Sequence, residues 1–172
     1  MEGLELGRNI TFWGKPLIDI RSGGKISIGD NTQLISTNVG THVNYGVPTK
    51  LFVDRPGAQI VIGRNCSIGG ACIHAYKSVV IGDNSLIGTG TNIIDANGHP
   101  VRLNQYGNRR MNIDEAESIV IENDVWITLN CVILPGSKIG QGSIVSANSV
   151  IHGIVPPNCI VAGNPATVIK KL

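Results

Sequence analysis

An aliphatic residue returns at every sixth position from Ile121 through Ile127, Ile133, Ile139 and Val145 to Ile151. Neither a helix nor an amphipathic strand has that period, because their side chains repeat at 3.6 and 2 residues. A period of six fits a short strand plus a corner, copied side after side around a coil. Four places after each member stands a small or β-branched residue: Val125, Cys131, Ser137, Ser143, Ser149 and Val155. These read as the second inward position of each hexad. The same phase puts Cys66 four after Ile62 and Cys72 four after Ile68, so three of the four cysteines read as small buried thiols. Cys66, Cys72, Cys131 and Cys159 form no CxxC pair and have no histidine at ligand spacing, which argues against a metal site.

Glycine- and asparagine-bearing corners recur as Ile28-Gly29-Asp30-Asn31, Ile62-Gly63-Arg64-Asn65, Ile81-Gly82-Asp83-Asn84, Ile121-Glu122-Asn123-Asp124 and Ile139-Gly140-Gln141-Gly142. Their starts are separated by 34 (28 to 62), 19 (62 to 81), 40 (81 to 121) and 18 (121 to 139) residues. Eighteen residues make three hexads, which predicts a triangular coil with three strands per turn, stacked at about 4.8 Å per coil. The interval of 40 exceeds one coil by 22, so a long loop is expected to leave between Ile94 and Ile119, at about residues 95–118. The interval of 34 reads as two slightly short coils with Leu51-Phe52-Val53 as one face. No segment sustains a helical period, so the expected fold is all-β, with almost no helix.

The low aromatic content of 4% and the 22 glycines suit thin aliphatic layers joined by tight corners, and 172 residues suit one domain, 1–172, with a tail at about 163–172. A net charge of +2, with both signs interspersed, gives no footprint for nucleic acid. Met1 is followed by Glu2 and Glu5, and no run approaches the roughly 18 apolar residues of a membrane span, so a soluble, cytoplasmic protein is expected.

Five motifs in order carry a resemblance: Ile81-Gly82-Asp83-Asn84, Asp95-Ala96-Asn97-Gly98-His99-Pro100-Val101, Asp124-Val125-Trp126-Ile127, Ile133-Leu134-Pro135-Gly136, and Pro156-Pro157-Asn158 followed by Ala162-Gly163-Asn164-Pro165-Ala166. Over Ile62–Ile169 the chain resembles the hexapeptide-repeat acyltransferases, particularly the galactoside, maltose and polysaccharide O-acetyltransferases. The resemblance implies a left-handed parallel β-helix with one long protruding loop. It also implies a homotrimer with active sites between neighbouring subunits, acetyl-CoA as co-substrate with no metal, and a sugar or glycan acceptor.

Acetyl transfer to a hydroxyl needs a base, and histidine has the pKa for that work. Of His42, His74, His99 and His152, His99 precedes Pro100, which restricts its backbone, and it matches the catalytic histidine of the family. Asp95 and Asn97 lie close enough to orient that ring or bind the acceptor, and equally suit Asx turns opening the loop. Trp126 occupies an outward hexad position and matches a family tryptophan near the acyl group; burial against a neighbouring subunit is the competing reading. By resemblance the N–H of Leu129 is the oxyanion donor, and Ser146-Ala147-Asn148-Ser149 meets the pantetheine arm.

The chain also departs from the family. Thr128 stands where glycine is usual, and His152-Gly153 and Thr167 stand where Lys or Arg meets the CoA phosphates. That leaves Lys170 and Lys171 as candidate cations. Arg102, Arg109 and Arg110 in the long loop would suit an anionic or diphosphate-linked sugar. N-acetylation of an amino sugar, and an inactive β-helix scaffold, are the alternative readings.

Overall fold

The structure is a computed structural model, described here over residues 1–21, 23–41, 43–44, 46–100 and 114–172. His42, Arg102, Arg109 and Arg110 lie outside the described residues.

The chain winds upward in three-stranded coils. Coil one is β1 (Leu4–Leu6), β2 (Thr11–Trp13) and β3 (Leu17–Ile20); coil two is β4 (Lys25–Ile28), β5 (Gln33–Ile35) and β6 (Lys50–Val53). Coil three is β7 (Gln59–Ile62), β8 (Ser67–Gly69) and β9 (Cys72–Ala75), and coil four β10 (Ser78–Ile81), β11 (Leu86–Ile87) and β12 (Asn92–Ile94). Coil five is β13 (Ile119–Ile121), β14 (Trp126–Ile127) and β15 (Val132–Ile133), and coil six β16 (Lys138–Ile139), β17 (Ile144–Val145) and β18 (Val150–Ile151). The stack ends with β19 (Ile154–Val155), β20 (Cys159–Gly163) and β21 (Ala166–Lys171).

Every third strand pairs in parallel, giving a first sheet from β1 to β19, a second from β2 to β20 and a third from β3 to β18. Among the described residues only β21 runs antiparallel, folded back on β20. No helix occurs among the described residues. This is the parallel coil that the repeats called for, with the left hand that the resemblance implied. The six-residue rows become the core directly: Ile121, Ile127, Ile133, Ile139, Val145 and Ile151 are all at most 2% exposed, and the small residues between them fill the corners.

At the corner between the first and second sheets, Asn9, Asn31, Asn65, Asn84 and Asp124 all take positive φ, and their side chains hydrogen-bond upward from one coil to the next. Asparagine tolerates that left-handed backbone, and each amide holds the one above, which explains the recurrent corner motif.

Two expectations are corrected. Ile28 pairs with Ile62 in adjacent strands, so the interval of 34 is one coil, lengthened between β5 and β6 by residues 36–49. Leu51-Phe52-Val53 is a face of that same coil. Buried Thr49 clasps the base of the excursion: its hydroxyl donates to the Ile35 carbonyl and accepts from the Gly70 N–H. Cys72, in turn, is half-buried and outward-facing, while Ala71 and Ile73 fill the core. The corner at Gly69–Ala71 is one residue short, so the phase slips there. Cys66, Cys131 and Cys159 are the three buried thiols.

Candidate active site

The predicted site residues fall at two different corners. At the corner joining the third sheet to the first, β12 ends at Ile94 and β13 begins at Ile119. Asp95 is completely buried, and its carboxylate accepts from the backbone N–H groups of Tyr76 (2.7 Å), Lys77 (2.8 Å) and Ser78 (2.7 Å) one coil below. Three charge-assisted bonds fix this corner, so Asp95 works as the footing of the loop. Glu117 N–H donates to the Asp95 carbonyl on the returning strand, and Asn97 Nδ2 donates to Asp114 Oδ2 at 3.0 Å, closing the mouth of the excursion. Between these anchors Ala96 and Pro100 are buried while His99 is exposed. Gly98 takes φ +75°, a left-handed turn that lifts His99 out of the corner.

The corner joining the second sheet to the third carries a groove of about 680 Å³ lined by Trp126, Thr128, Leu129, Ser146 and Ala147. Five residues chosen from the sequence therefore share one surface. Trp126 is 48% exposed beside Leu86 on the outer face of the second sheet. The corner geometry supplies donors. In each coil the residues flanking the corner give their N–H to the coil above or below, as Thr128 does to the Val145 carbonyl and Asn148 to the Leu129 carbonyl. The middle N–H groups, those of Thr89, Leu129 and Ala147, meet no acceptor among the described residues, and all three residues line the groove. A vertical ladder of outward N–H groups about one coil apart suits the carbonyl oxygens of an extended amide- and thioester-bearing arm.

Thr128 fits here because its hydroxyl is spent on the Val145 carbonyl at 2.8 Å. Its own carbonyl presses so closely on Gly88 that a side chain there would collide with it. Burial raises the pKa of the Cys131 thiol behind the groove, which keeps it protonated and unsuited to attack.

Thr167 and Lys170 sit on β21 and are not among the residues lining the groove; Thr167 pairs with Ala162 on β20. Lys170 pairs with Ile160 three strands along from Trp126, about 14 Å up the second sheet. Gly153, at φ +87°, borders open space. The sequence reading missed Leu86 and Thr89, whose place in the hexad phase matches that of Trp126 and Leu129. It also missed Gly40, Thr41 and Val43, which reach the groove from the 36–49 excursion that had been read as an extra coil. Among the described residues no three His, Cys, Asp or Glu side chains gather to hold a metal ion, and no helix is long and apolar enough to cross a membrane.

The family model of the hexapeptide repeat of succinyl-transferase matches residues 59–94 and 118–152. The chain is 32% identical over 158 residues to the putative lipopolysaccharide biosynthesis O-acetyl transferase WbbJ of Escherichia coli, covering 88% of this chain and 74% of that one. It is 36% identical over 118 residues to the galactoside O-acetyltransferase of Escherichia coli, covering 67% of this chain and 56% of that one. Of solved structures, a hexapeptide-repeat-containing acetyltransferase from Vibrio cholerae complexed with acetyl coenzyme A is similar with TM-score 0.62 and 35% identity over 70% of this chain and 64% of that one. A galactoside acetyltransferase in complex with coenzyme A is similar with TM-score 0.59 and 25% identity over 97% and 64%. With the coil, the corner groove and these relatives in agreement, the chain belongs to the hexapeptide-repeat acetyltransferases, whose acetyl donor is acetyl-CoA.

Proposed function

We propose that this chain transfers acetyl from acetyl-CoA to a hydroxyl of a sugar or glycan precursor, with His99 as general base, in sites shared between the subunits of a homotrimer. The observation that carries this reading is the separation of the two halves of the site. The groove with its N–H ladder and the exposed His99 lie at different corners of one coil, on either side of the third sheet, so a base and a thioester meet only when a second copy brings its corner alongside.

In that arrangement the Nε2 or Nδ1 of His99 takes the proton as the acceptor oxygen attacks the thioester carbonyl. The Leu129 N–H stabilises the resulting oxyanion, and the proton passes to the departing CoA sulfur as the tetrahedral intermediate collapses. Trp126 walls the acyl group, Ser146 and Ala147 hold the pantetheine arm, and Lys170, with Lys171 and Thr167, meets the phosphates up the second sheet. Asn97 holds the loop mouth beside the base. Four free cysteines suit a reducing cytoplasm, where acetyl-CoA is available.

The test is acetyl-CoA binding by calorimetry and thiol release with pooled glycan acceptors, for wild type and His99→Ala together. Binding by both with turnover by wild type alone is the expected result; absence of binding in both returns the chain to the scaffold reading. Mixing His99→Ala chains with groove-blocked Ala147→Trp chains should restore activity that neither has alone, and failure to do so would refute sites shared between copies.

A further inference from the structure

On the outer face of the third sheet, Phe52, His74 and Tyr76 form a stack climbing toward the His99 corner. Ring centroids are 4.3 Å apart at both steps, Phe52 to His74 and His74 to Tyr76. Cations close the column: Arg21 and Lys50 lie over Phe52 at 5.0 and 5.1 Å, and Arg55 lies over Tyr76 at 4.8 Å. Arg21 is answered by Asp54 at 3.5 Å, and Asp19 lies one strand below Phe52. Arg55 makes no ion pair among the described residues, and residues 101–113 contain no Asp or Glu that could supply one.

Two buried side-chain nitrogens lack a hydrogen-bond partner among the described residues, Arg55 Nη2 and His74 Nε2, and both belong to this column. Buried polar atoms left unanswered destabilise a fold, and a charged group more than a neutral one, so their coincidence in one column calls for a functional account. The column also leads to the base. Arg55, Tyr76 and the Asp95–His99 turn follow β6, β9 and β12 at the same corner, and a side chain added at Gly98 would begin 3.8 Å from the Tyr76 hydroxyl. Arg55 is thus two coils, about 10 Å, below His99.

We infer that Arg55, braced on Tyr76 and His74, is an anion subsite that holds a carboxylate or phosphate carried by the acceptor while a hydroxyl of the same molecule reaches His99. The guanidinium of Arg55, set over the Tyr76 ring at 4.8 Å, has N–H donors to offer a planar or tetrahedral oxyanion. Burial, against the opposing pull of Asp54 and Asp95, lowers the His74 pKa and so favours the neutral ring in the stack. The inference rests on the acetyltransferase reading only in calling the bound molecule an acceptor.

The experiment is a titration of histidine-labelled protein by NMR. With four histidines, each resonance is assigned by a single His→Gln variant. Inorganic phosphate and, separately, glucuronate are added at constant ionic strength set by chloride. A saturable shift of His74 with either anion is expected, weakened about tenfold or more in Arg55→Gln and partly retained in Arg55→Lys. The two arms distinguish phosphate from carboxylate as the preferred group. No saturable shift at His74, or the same half-saturation in Arg55→Gln with an unchanged starting spectrum, overturns the subsite. Acetyl-CoA calorimetry on the same samples reads the donor site separately, so failure of the acetyltransferase reading leaves the anion result standing, and the reverse.

Discussion

Coils five and six keep the six-residue plan without interruption and are covered on both sides, whereas coil one keeps the spacing at Leu6, Phe12 and Ile18 but lies at the end of the stack, and coil two breaks it between β5 and β6. In the upper pair each side contributes an aliphatic residue of the six-residue row, buried to at most 2% exposure, with Ile119 as a second one on β13. In coil one Leu6 and Phe12 stand directly under Ile28 and Leu34, the same inward rows, yet are 47% and 41% exposed because they are at the open end of the stack. Coil two swells to 34 residues to carry the 36–49 excursion. The regular coils act as a ruler that sets N–H groups at even spacing. The departures from the ruler carry what must differ: the raised His99 turn, the groove wall at Gly40, Thr41 and Val43, and the aromatic column.

If that division holds, damage at a departure abolishes chemistry and spares the fold, while damage in a regular coil does the opposite. The largest effect belongs to His99→Ala, which should lower acetyl transfer by about 10²- to 10⁴-fold with the strand signature and acetyl-CoA affinity unchanged. Loss of strand content in that variant would mean that the 95–118 turn supports the coil. Next comes Ile127→Ala in coil five, which removes a fully buried side chain and should cost about 3 kcal/mol in denaturant unfolding. Phe12→Ala, on the equivalent inward row of coil one, should cost about 1 kcal/mol or less, since much of the ring is already in water. Equal costs would show that the lower end is covered in solution.

The same contrast decides what was legible in the sequence. Where hexads run in phase, periodicity alone identified the core, and the groove residues followed from their place in the hexad and from the resemblance. It failed at residues 36–49, because an excursion of nearly one coil's length imitates a coil, and at Cys72, because one residue dropped from the corner at Gly69–Ala71 reverses which side chain points inward. Asp95 was placed beside His99, but its bonds to Tyr76, Lys77 and Ser78 join residues 17 to 19 apart and depend on how the corners stack. The Phe52–His74–Tyr76 column was out of reach for the same reason: its members meet across strands, in a register that no single hexad encodes.

Asp95 therefore tests whether a departure has its own support. Asp95→Asn keeps the shape but loses the negative charge that three N–H groups share, and one of its oxygens becomes a donor facing them. A loss of about 2 kcal/mol is expected, measured by chemical unfolding, together with a smaller loss of activity as the His99 turn loosens. Activity falling as far as in His99→Ala with stability unchanged would instead move Asp95 into direct contact with the base.

The smallest effect concerns pH and the aromatic column. His74 is pressed between Phe52 and Tyr76, and burial, partly offset by Asp54 and Asp95 and reinforced by Lys50 and Arg21, lowers its pKa below the ordinary 6.5. In the unfolded chain the ring regains an ordinary pKa, so below about pH 6.5 the unfolded state binds a proton that the folded state refuses. The contribution of this neutral ring to stability is thus fully present above that pH and is lost as pH falls through the folded value. Comparing urea midpoints between about pH 7.5 and pH 5 should show wild type losing more stability than His74→Gln, which cannot titrate there. Parallel profiles would mean that the stack opens enough in solution to let water reach the ring, and the bracing assigned to it beneath Arg55 would then have to come from Tyr76 alone.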